Sequence, residues 1–407
     1  MPPPFGEAAD DRPPISRAAP AGTSGLVGGH AGAVPAATLL HLTSPAEWRT
    51  ALRVGVVAPP SLAEVGFVHL STAEQVALPA NRLFAGRRDL LLLAVDAATV
   101  GCEIRFEPGT HGDPAAMRFP HAYGPVPTGS VVAVSAYRPG TDGTFSAPPG
   151  PPARADHPGR LRAVADSLPR RTATAEVPVA GGLAVLNDDV PWSPALNRLL
   201  VDDATPAQEI AAEADRVLGG AGRDHRCVTI RGTDPGPVAR ELGRSGWWVQ
   251  HDVVMAREVA GAGPGPVAEE VPVDAVRDLW AAAWRPDLPA DDPRRLRLPD
   301  RYLVDDRGTD LRILAVREGG RAGGEVVAAA ALFLDGATAV LEAVETAAPH
   351  RGRGHGNALL NGALAVADRA GCDLLALHAQ ADGGPRDWYA RHGFRVLDDA
   401  WSAGREP

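Results

Sequence analysis

Two hydrophobic periods alternate along the chain, and the places where one gives way to the other predict its elements. Ala339 to Thr346 reads as a strand. It is followed by Leu359, Leu360, Ala363, Leu364 and Ala367 at helical spacing, with Gly371 as the expected stop. The apolar run Asp373 to His378 is then a strand, Tyr389 lies on a short helix, and Arg395 to Leu397 is a last strand. Ahead of these, Leu311 to Arg317 and Glu325 to Leu334 form a hairpin around Gly319 and Gly320, and Val273 to Trp284 is a helix. The charged, proline-broken stretch from Arg285 to Pro299 is expected to be irregular.

The same reading divides the rest. Residues 1–35 are Pro, Gly and Ala with few large apolar side chains, which reads as a disordered tail. Residues 36–138 hold a strand from Thr38, a helix from Ser44 through Trp48 and Leu52, the apolar strand Asp89 to Val95, the alternating Glu103 to Glu107, a loop from Phe119 to Pro125 and a strand from Ser130. That order predicts a small α+β domain. Residues 139–172, rich in Pro and Gly, are expected to be a solvated linker between independently folding parts. Residues 173–260 alternate strands with helices over Pro206 to Leu218 and Pro235 to Gly243, and Gly261 to Pro266 is a hinge before the part that runs from 267 to 407.

Length and composition then set the class. A chain of 407 residues exceeds one typical core, and 45% hydrophobic with 22% charged residues describes globular material. No stretch of membrane-spanning length appears and no basic-then-apolar leader, so the expected compartment is the cytoplasm. Cys102, Cys227 and Cys372 are too few and too scattered for a disulfide framework or a zinc site, and no metal is expected. The net charge of −10 disfavours nucleic acid as a partner. The sequence contains no lysine, which excludes Schiff-base and pyridoxal phosphate chemistry, the lysine grip of P-loops and protein-kinase chemistry.

Candidate chemistry centres on His350 to Leu360. Arg351, Gly354 and Gly356 spell R-x-x-G-x-G where strand gives way to helix, and a helix start offers unpaired N–H donors and a positive dipole end to a diphosphate. Together with Trp388, Tyr389 and the Gly393-Phe394 pair before the last strand, this order resembles the acyl-CoA-binding half of the GNAT N-acetyltransferases. The resemblance implies a mixed, mostly antiparallel sheet with helices on both faces. It also implies acetyl-CoA as cosubstrate and an acetyl transfer to a primary amine by direct attack. In that likeness the pantetheine arm lies along Val344 and Thr346, the diphosphate on Arg351, Gly352, Arg353, Gly354, His355, Gly356 and Asn357, and Tyr389 protonates the departing thiolate. Glu342 is the candidate base, since alternation puts it on the face of Val344 and puts Glu345 on the other. Acidic Asp335, Glu342 and Glu345 near the expected pocket favour a cationic amine, on a small molecule or a peptide.

Two further resemblances complete the expectations. LLHLT, GFVHLSTAEQ, DLLLLAVD and FPHAYGPVP resemble the DUF952 family, itself similar to the ADP-ribosyltransferase fold. That likeness would set His41, His69, Ser71 and Glu107 around a nicotinamide-dinucleotide cleft. Strand, helix, Arg-Ser-Gly-Trp, strand from Cys227 to Val249 echoes Cys372 to Val396, which suggests a degenerate GNAT-like lobe with Leu242 where Tyr389 stands; an unrelated α/β domain is the alternative. The expected activity is an acyl-CoA-dependent N-acyltransferase. Its rivals are ADP-ribosyl or RNA-phosphate transfer in the N-terminal domain and a non-catalytic acetyl-CoA sensor.

Overall fold

Capping chemistry fixes the first helix, and the first domain is built around it. In the computed structural model, which describes residues 38–109, 116–259, 267–320 and 323–406, Ser44 and Glu47 form a reciprocal capping box. Gly55, at φ 88°, ends the helix. The order is β1 (Thr38–Thr43), α1 (Pro45–Val54), β2 (Val56–Val57), α2 (Pro60–Val65), β3 (Val68–His69), α3 (Ala77–Leu83) and β4 (Leu90–Asp96). Then come β5 (Ile104–Pro108), β6 (Arg118–Ala122), β7 (Val126–Pro127) and β8 (Val131–Tyr137). β4 lies between β1 and β8, covered on both faces, which is why its sequence is an unbroken apolar run. A second small sheet runs β3-β6-β5, so Phe119 to Ala122, expected as loop, is a strand. Pro120 is tolerated there because its carbonyl accepts from Leu70 N–H (2.9 Å), so its nitrogen faces the β3 side just past the end of that strand at His69.

The remainder builds one eleven-stranded sheet. Its first lobe supplies β9 (Ala175–Val179), β10 (Gly182–Leu186), β11 (Arg198–Asp202), α5 (Ala207–Ala214), β12 (Arg226–Arg231), α6 (Gly236–Arg244) and β13 (Trp248–Glu258) after the helix α4 (His157–Arg171). The second supplies β14 (Glu269–Val271), α7 (Arg277–Trp284), α8 (Pro293–Leu296), α9 (Arg301–Asp305), β15 (Asp310–Arg317), β16 (Val326–Asp335) and β17 (Thr338–Thr346). It ends with α10 (His355–Arg369), β18 (Leu374–Gln380), α11 (Gly384–Arg391) and β19 (Arg395–Arg405). The strand order is β14-β15-β16-β17-β18-β13-β19-β12-β11-β10-β9.

That order makes the echo in the sequence a physical exchange. β13 leaves the first lobe to pair with β18, and β19 leaves the second to pair with β12, the two lying antiparallel at the centre. Reading outward from this centre, β12 corresponds to β18, the parallel neighbour β11 to β17, and β10 to β16. Neither lobe completes its sheet without a strand of the other. The result is a mixed sheet with helices on both faces, next to a small α+β region. Among the described residues no helix is long and apolar enough to cross a membrane.

The expected linker is the largest departure. Residues 157–171 form α4, capped by Asp156 accepting from Gly159 N–H and started by Pro158. Arg160 is buried against Asp373 (2.6 Å) and the Ala337 carbonyl (2.8 Å). Arg171 is buried in a bidentate pair with Asp335 (2.7 and 2.8 Å), whose Oδ1 also accepts from the indole of Trp48 (2.8 Å). Gly336 sits at φ 71° so close to the first domain that a Cβ there would meet the Val131 oxygen at 2.4 Å. The first domain is therefore packed onto the turn between β16 and β17, and α4 is the wedge between them. Buried arginines on carboxylates, invisible in a Pro/Gly/Ala composition, hold it. Expectations for residues 1–35 and for the Gly261–Pro266 hinge lie outside the described residues.

Candidate active site

β17 and β18 begin as partners and then part. They pair in parallel from Thr338 with Leu374 to Leu341 with Leu377, and no farther. β17 continues to Thr346 along β16 and β18 continues to Gln380 along β13, so each keeps its outer partner while the inner edges face a gap. The cause is at Ala343, the one residue other than glycine at positive φ among the described residues (50°), where the register with β16 slips. Trp280 on α7 donates its indole N–H to the Ala343 carbonyl (3.0 Å) and holds the bulge. Unpaired N–H and C=O groups on both sides of an opening inside a sheet are a template for an extended polar chain.

The bulge also reverses the faces beyond it. Leu341 and Val344 pack on the α10 side, whereas Val340 and Ala343 pack on Trp280 and Tyr302. Glu342 and Val344 therefore do not share a face, contrary to simple alternation. Glu342 is ion-paired to Arg301 (2.9 Å), which also reaches Asp305 (3.3 Å) and the Tyr302 hydroxyl (2.8 Å). Burial pushes the Asp305 carboxyl up to about 7 against the pull of Arg301. A carboxylate held in such a pair is poorly placed to take a proton. Glu345 is the carboxylate within electrostatic reach of Tyr389: burial raises its carboxyl above the usual range, Arg351 opposes the rise, and its charge is felt at Tyr389. Asp335, expected near the acceptor, is instead committed to Arg171 and Trp48.

At the mouth of the gap the chain turns into α10. Gly352 (φ 75°) and Gly354 (φ 86°) both require the left-handed region, which explains the first of the motif's two glycines, Gly354, and the glycine that fills the position after Arg351. Gly354 is the N-cap and supplies no side-chain acceptor, so the N–H groups of His355, Gly356 and Asn357 stay uncapped among the described residues. Arg351 and Arg353 are exposed beside them, Arg351 donating to the Thr346 carbonyl (3.0 Å). On the far side, α11 presents Tyr389, packed edge-on against Phe394 (ring centroids 5.5 Å) in the same apolar cluster as Leu377 and Leu359. Its hydroxyl has no hydrogen-bond partner among the described residues. Burial, and then Glu345, push the phenol up to about 12.

The first lobe has none of this. β11 and β12 stay paired to their ends, from Leu199 with Val228 to Asp202 with Arg231. The turn into α5 carries the Asp203 carboxylate, which accepts from Asp234 N–H (2.7 Å), and the residue that caps α5 is Pro206, which has no N–H. Leu242, in the place of Tyr389, is buried in the lobe's own core. A diphosphate would meet negative charge where the second lobe offers donors.

In the first domain His41, His69 and Ser71 line one cavity of about 1050 Å³. Glu107 does not line it but reaches it through His121, whose Nδ1 lies 2.8 Å from the Glu107 carboxylate. His121 was legible as a candidate only if Phe119, His121 and Tyr123 were read as one face of a strand. Among the described residues no group of His, Cys, Asp or Glu is arranged to hold a metal ion.

Comparison with known proteins gives two family matches. Residues 42–134 match the model of DUF952, a protein of unknown function, and residues 273–394 match that of the Acetyltransferase (GNAT) family. Similar solved structures include a functionally unknown conserved protein from Staphylococcus epidermidis, at 11% identity over 57% of this chain and 93% of that chain (TM-score 0.46). A GCN5-related N-acetyltransferase from Kribbella flavida is 20% identical over 59% of this chain and 92% of its own (TM-score 0.39). A protein of Caulobacter crescentus is 32% identical over 27% of this chain and 93% of its own (TM-score 0.24). No curated protein matches the chain. The chain thus carries a DUF952 domain at residues 42–134 and a GNAT acetyltransferase domain at residues 273–394.

Proposed function

We propose that the second lobe is an N-acyltransferase that uses acetyl-CoA and delivers the acetyl group to a primary amine on a small molecule or a peptide. The observation that carries this reading is the opening between β17 and β18, with the uncapped start of α10 at its mouth and Tyr389 on its α11 side. Backbone groups from Ala343 to Thr346 hold the pantetheine arm as an added strand, and the amides of His355 to Asn357, with Arg351 and Arg353, take the diphosphate. The amine nitrogen attacks the thioester carbonyl carbon, and the carbon–sulfur bond breaks. Glu345, directly or through a water, takes the proton the nitrogen loses, and Tyr389 donates to the departing sulfur.

Glu345 replaces Glu342 as the base in this reading, and the pH profile separates them. A base must be deprotonated, and burial raises the Glu345 carboxyl, so kcat/KM should fall on the acid side at a pH above the ordinary carboxylate range. Glu345→Gln should remove that limb and lower the neutral-pH rate by about 10- to 100-fold. Glu342→Gln should leave the limb in place. Release of free thiol from acetyl-CoA across a panel of amines tests the whole proposal: amine-dependent turnover is expected, whereas acetyl-CoA binding without release from any amine indicates a sensor.

A further inference from the structure

The face of the central sheet that carries α4, α7 and α9 has a bare polar stretch beside the opening. Thr229 pairs across the strands with Ser402 and Ser402 with Gln250, while Asp252 pairs with Gln380. These residues share that face, since Val228, Ala403, Val253 and Ala379, which alternate with them, pack on the side of α5, α6 and α10. Leu161 of α4 packs on Val254, Ala376 and Leu397, and past that contact Gln250 and Gln380 are exposed. A polar floor therefore runs from β18 in the second lobe to β12 in the first, one strand from Arg198 on β11.

Charge is divided between its ends. Glu342 and Glu345 face this side of the opening, because their cross-strand partners Ala331 and Ala329 pack with Trp280 of α7. Arg301 answers Glu342, and Asp252 lies next along the floor, bound by the Gln250 amide (2.6 Å). At the far end Arg198 donates from Nε to the Pro194 carbonyl (2.7 Å) and from Nη1 to the Thr229 hydroxyl (2.9 Å). Both partners are neutral, and Nη2 has no partner among the described residues. Val190 and Leu196, just ahead of it, pack on Val304 of α9, which brings Arg198 within reach of the Asp305 and Glu342 charges, yet both of these are already taken by Arg301. A half-buried guanidinium with an open edge and no carboxylate of its own suits an incoming anion.

The spacing sets how far apart the acceptor's two charged ends lie. The three steps β18 to β13, β13 to β19 and β19 to β12, at about 4.8 Å each, span about 14 Å. Taking off about 4 Å for an ion pair leaves about 10 Å between carboxylate and amine, the length of about three residues of extended chain. We propose that this floor is the acceptor groove and that the acceptor is a short peptide, about three residues long, whose free C-terminal carboxylate is held by Arg198 while its N-terminal amine lies at Glu345. The inference rests on the acyltransferase reading above. Arg198, contributed by the lobe that lacks the opening, is then the residue that selects the acceptor.

Thiol release from acetyl-CoA by the full chain, with glycine, diglycine, triglycine and tetraglycine as acceptors, each beside its C-terminal amide, tests this. Triglycine should exceed triglycinamide in kcat/KM at least about tenfold, and should exceed free glycine by a similar factor. Arg198→Gln should raise the KM for triglycine about tenfold or more with a smaller change in kcat, and Arg198→Lys should recover part of the loss, whereas a merely structural arginine would lower the rates of acid and amide alike. The comparison of acid with amide needs no variant and stands if one fails to fold. Equal rates for acid and amide, free glycine as good as triglycine, or release with other amines but none of these peptides would overturn the peptide assignment and leave the transferase standing. No release with any amine would overturn both.

Discussion

Tyr389→Phe is expected to cut acetyl-CoA-dependent thiol release by about 10²- to 10⁴-fold while leaving the affinity for acetyl-CoA nearly unchanged. The phenol is pushed up to about 12, so it stays protonated across any practical assay range and acts only as a donor. It is also buried where a departing thiolate would be poorly solvated, and the same burial that raises the phenol raises the thiol and draws the proton toward sulfur. The substitution is unusually clean. The hydroxyl has no partner among the described residues, and Phe keeps the packing on Phe394 and Trp388, so folding should be unaffected. Turnover by the variant within about threefold of wild type would remove Tyr389 from the chemistry.

Asp335→Ala is expected to cost the full chain about 3–5 kcal/mol of unfolding free energy, because it leaves a buried charge without its counter-ion. Arg171 and Asp335 are both excluded from solvent, and the Trp48 indole depends on the same carboxylate. Asp335→Asn, which can keep some of these hydrogen bonds but not the charge, should fall between. Urea unfolding followed by far-ultraviolet dichroism and by the summed fluorescence of the eight tryptophans reads the loss for both variants, and the two probes should move together because the ion pair and the Trp48 indole join the first domain to the GNAT domain. A change under about 1 kcal/mol, the range of exposed pairs, would mean that the first domain is tethered and not packed.

That packing was the part least legible in the sequence. The R-x-x-G-x-G turn, the α10 helix and Tyr389 announce themselves because their signals are local: glycines at left-handed positions, helical spacing and a fixed distance to Phe394. Ala343 gives no such signal. An alanine at positive φ is imposed by its surroundings, chiefly the indole of Trp280 far away in sequence, and one slipped register exchanged the faces of Val344 and Glu345 relative to Glu342. α4 was hidden by composition, although the Asp156 cap, Pro158 and the helical spacing of Leu161, Val164 and Leu168 were there to be read. The exchange of β13 and β19 is non-local pairing and leaves only the faint repeat of strand, helix and Gly-aromatic turn.

Isothermal titration of acetyl-CoA into the full chain tests the central claim most directly, because only one lobe has parted strands and an uncapped helix start. One site per chain is expected, competed by free coenzyme A. Two sites per chain, or no heat at all, would contradict the account.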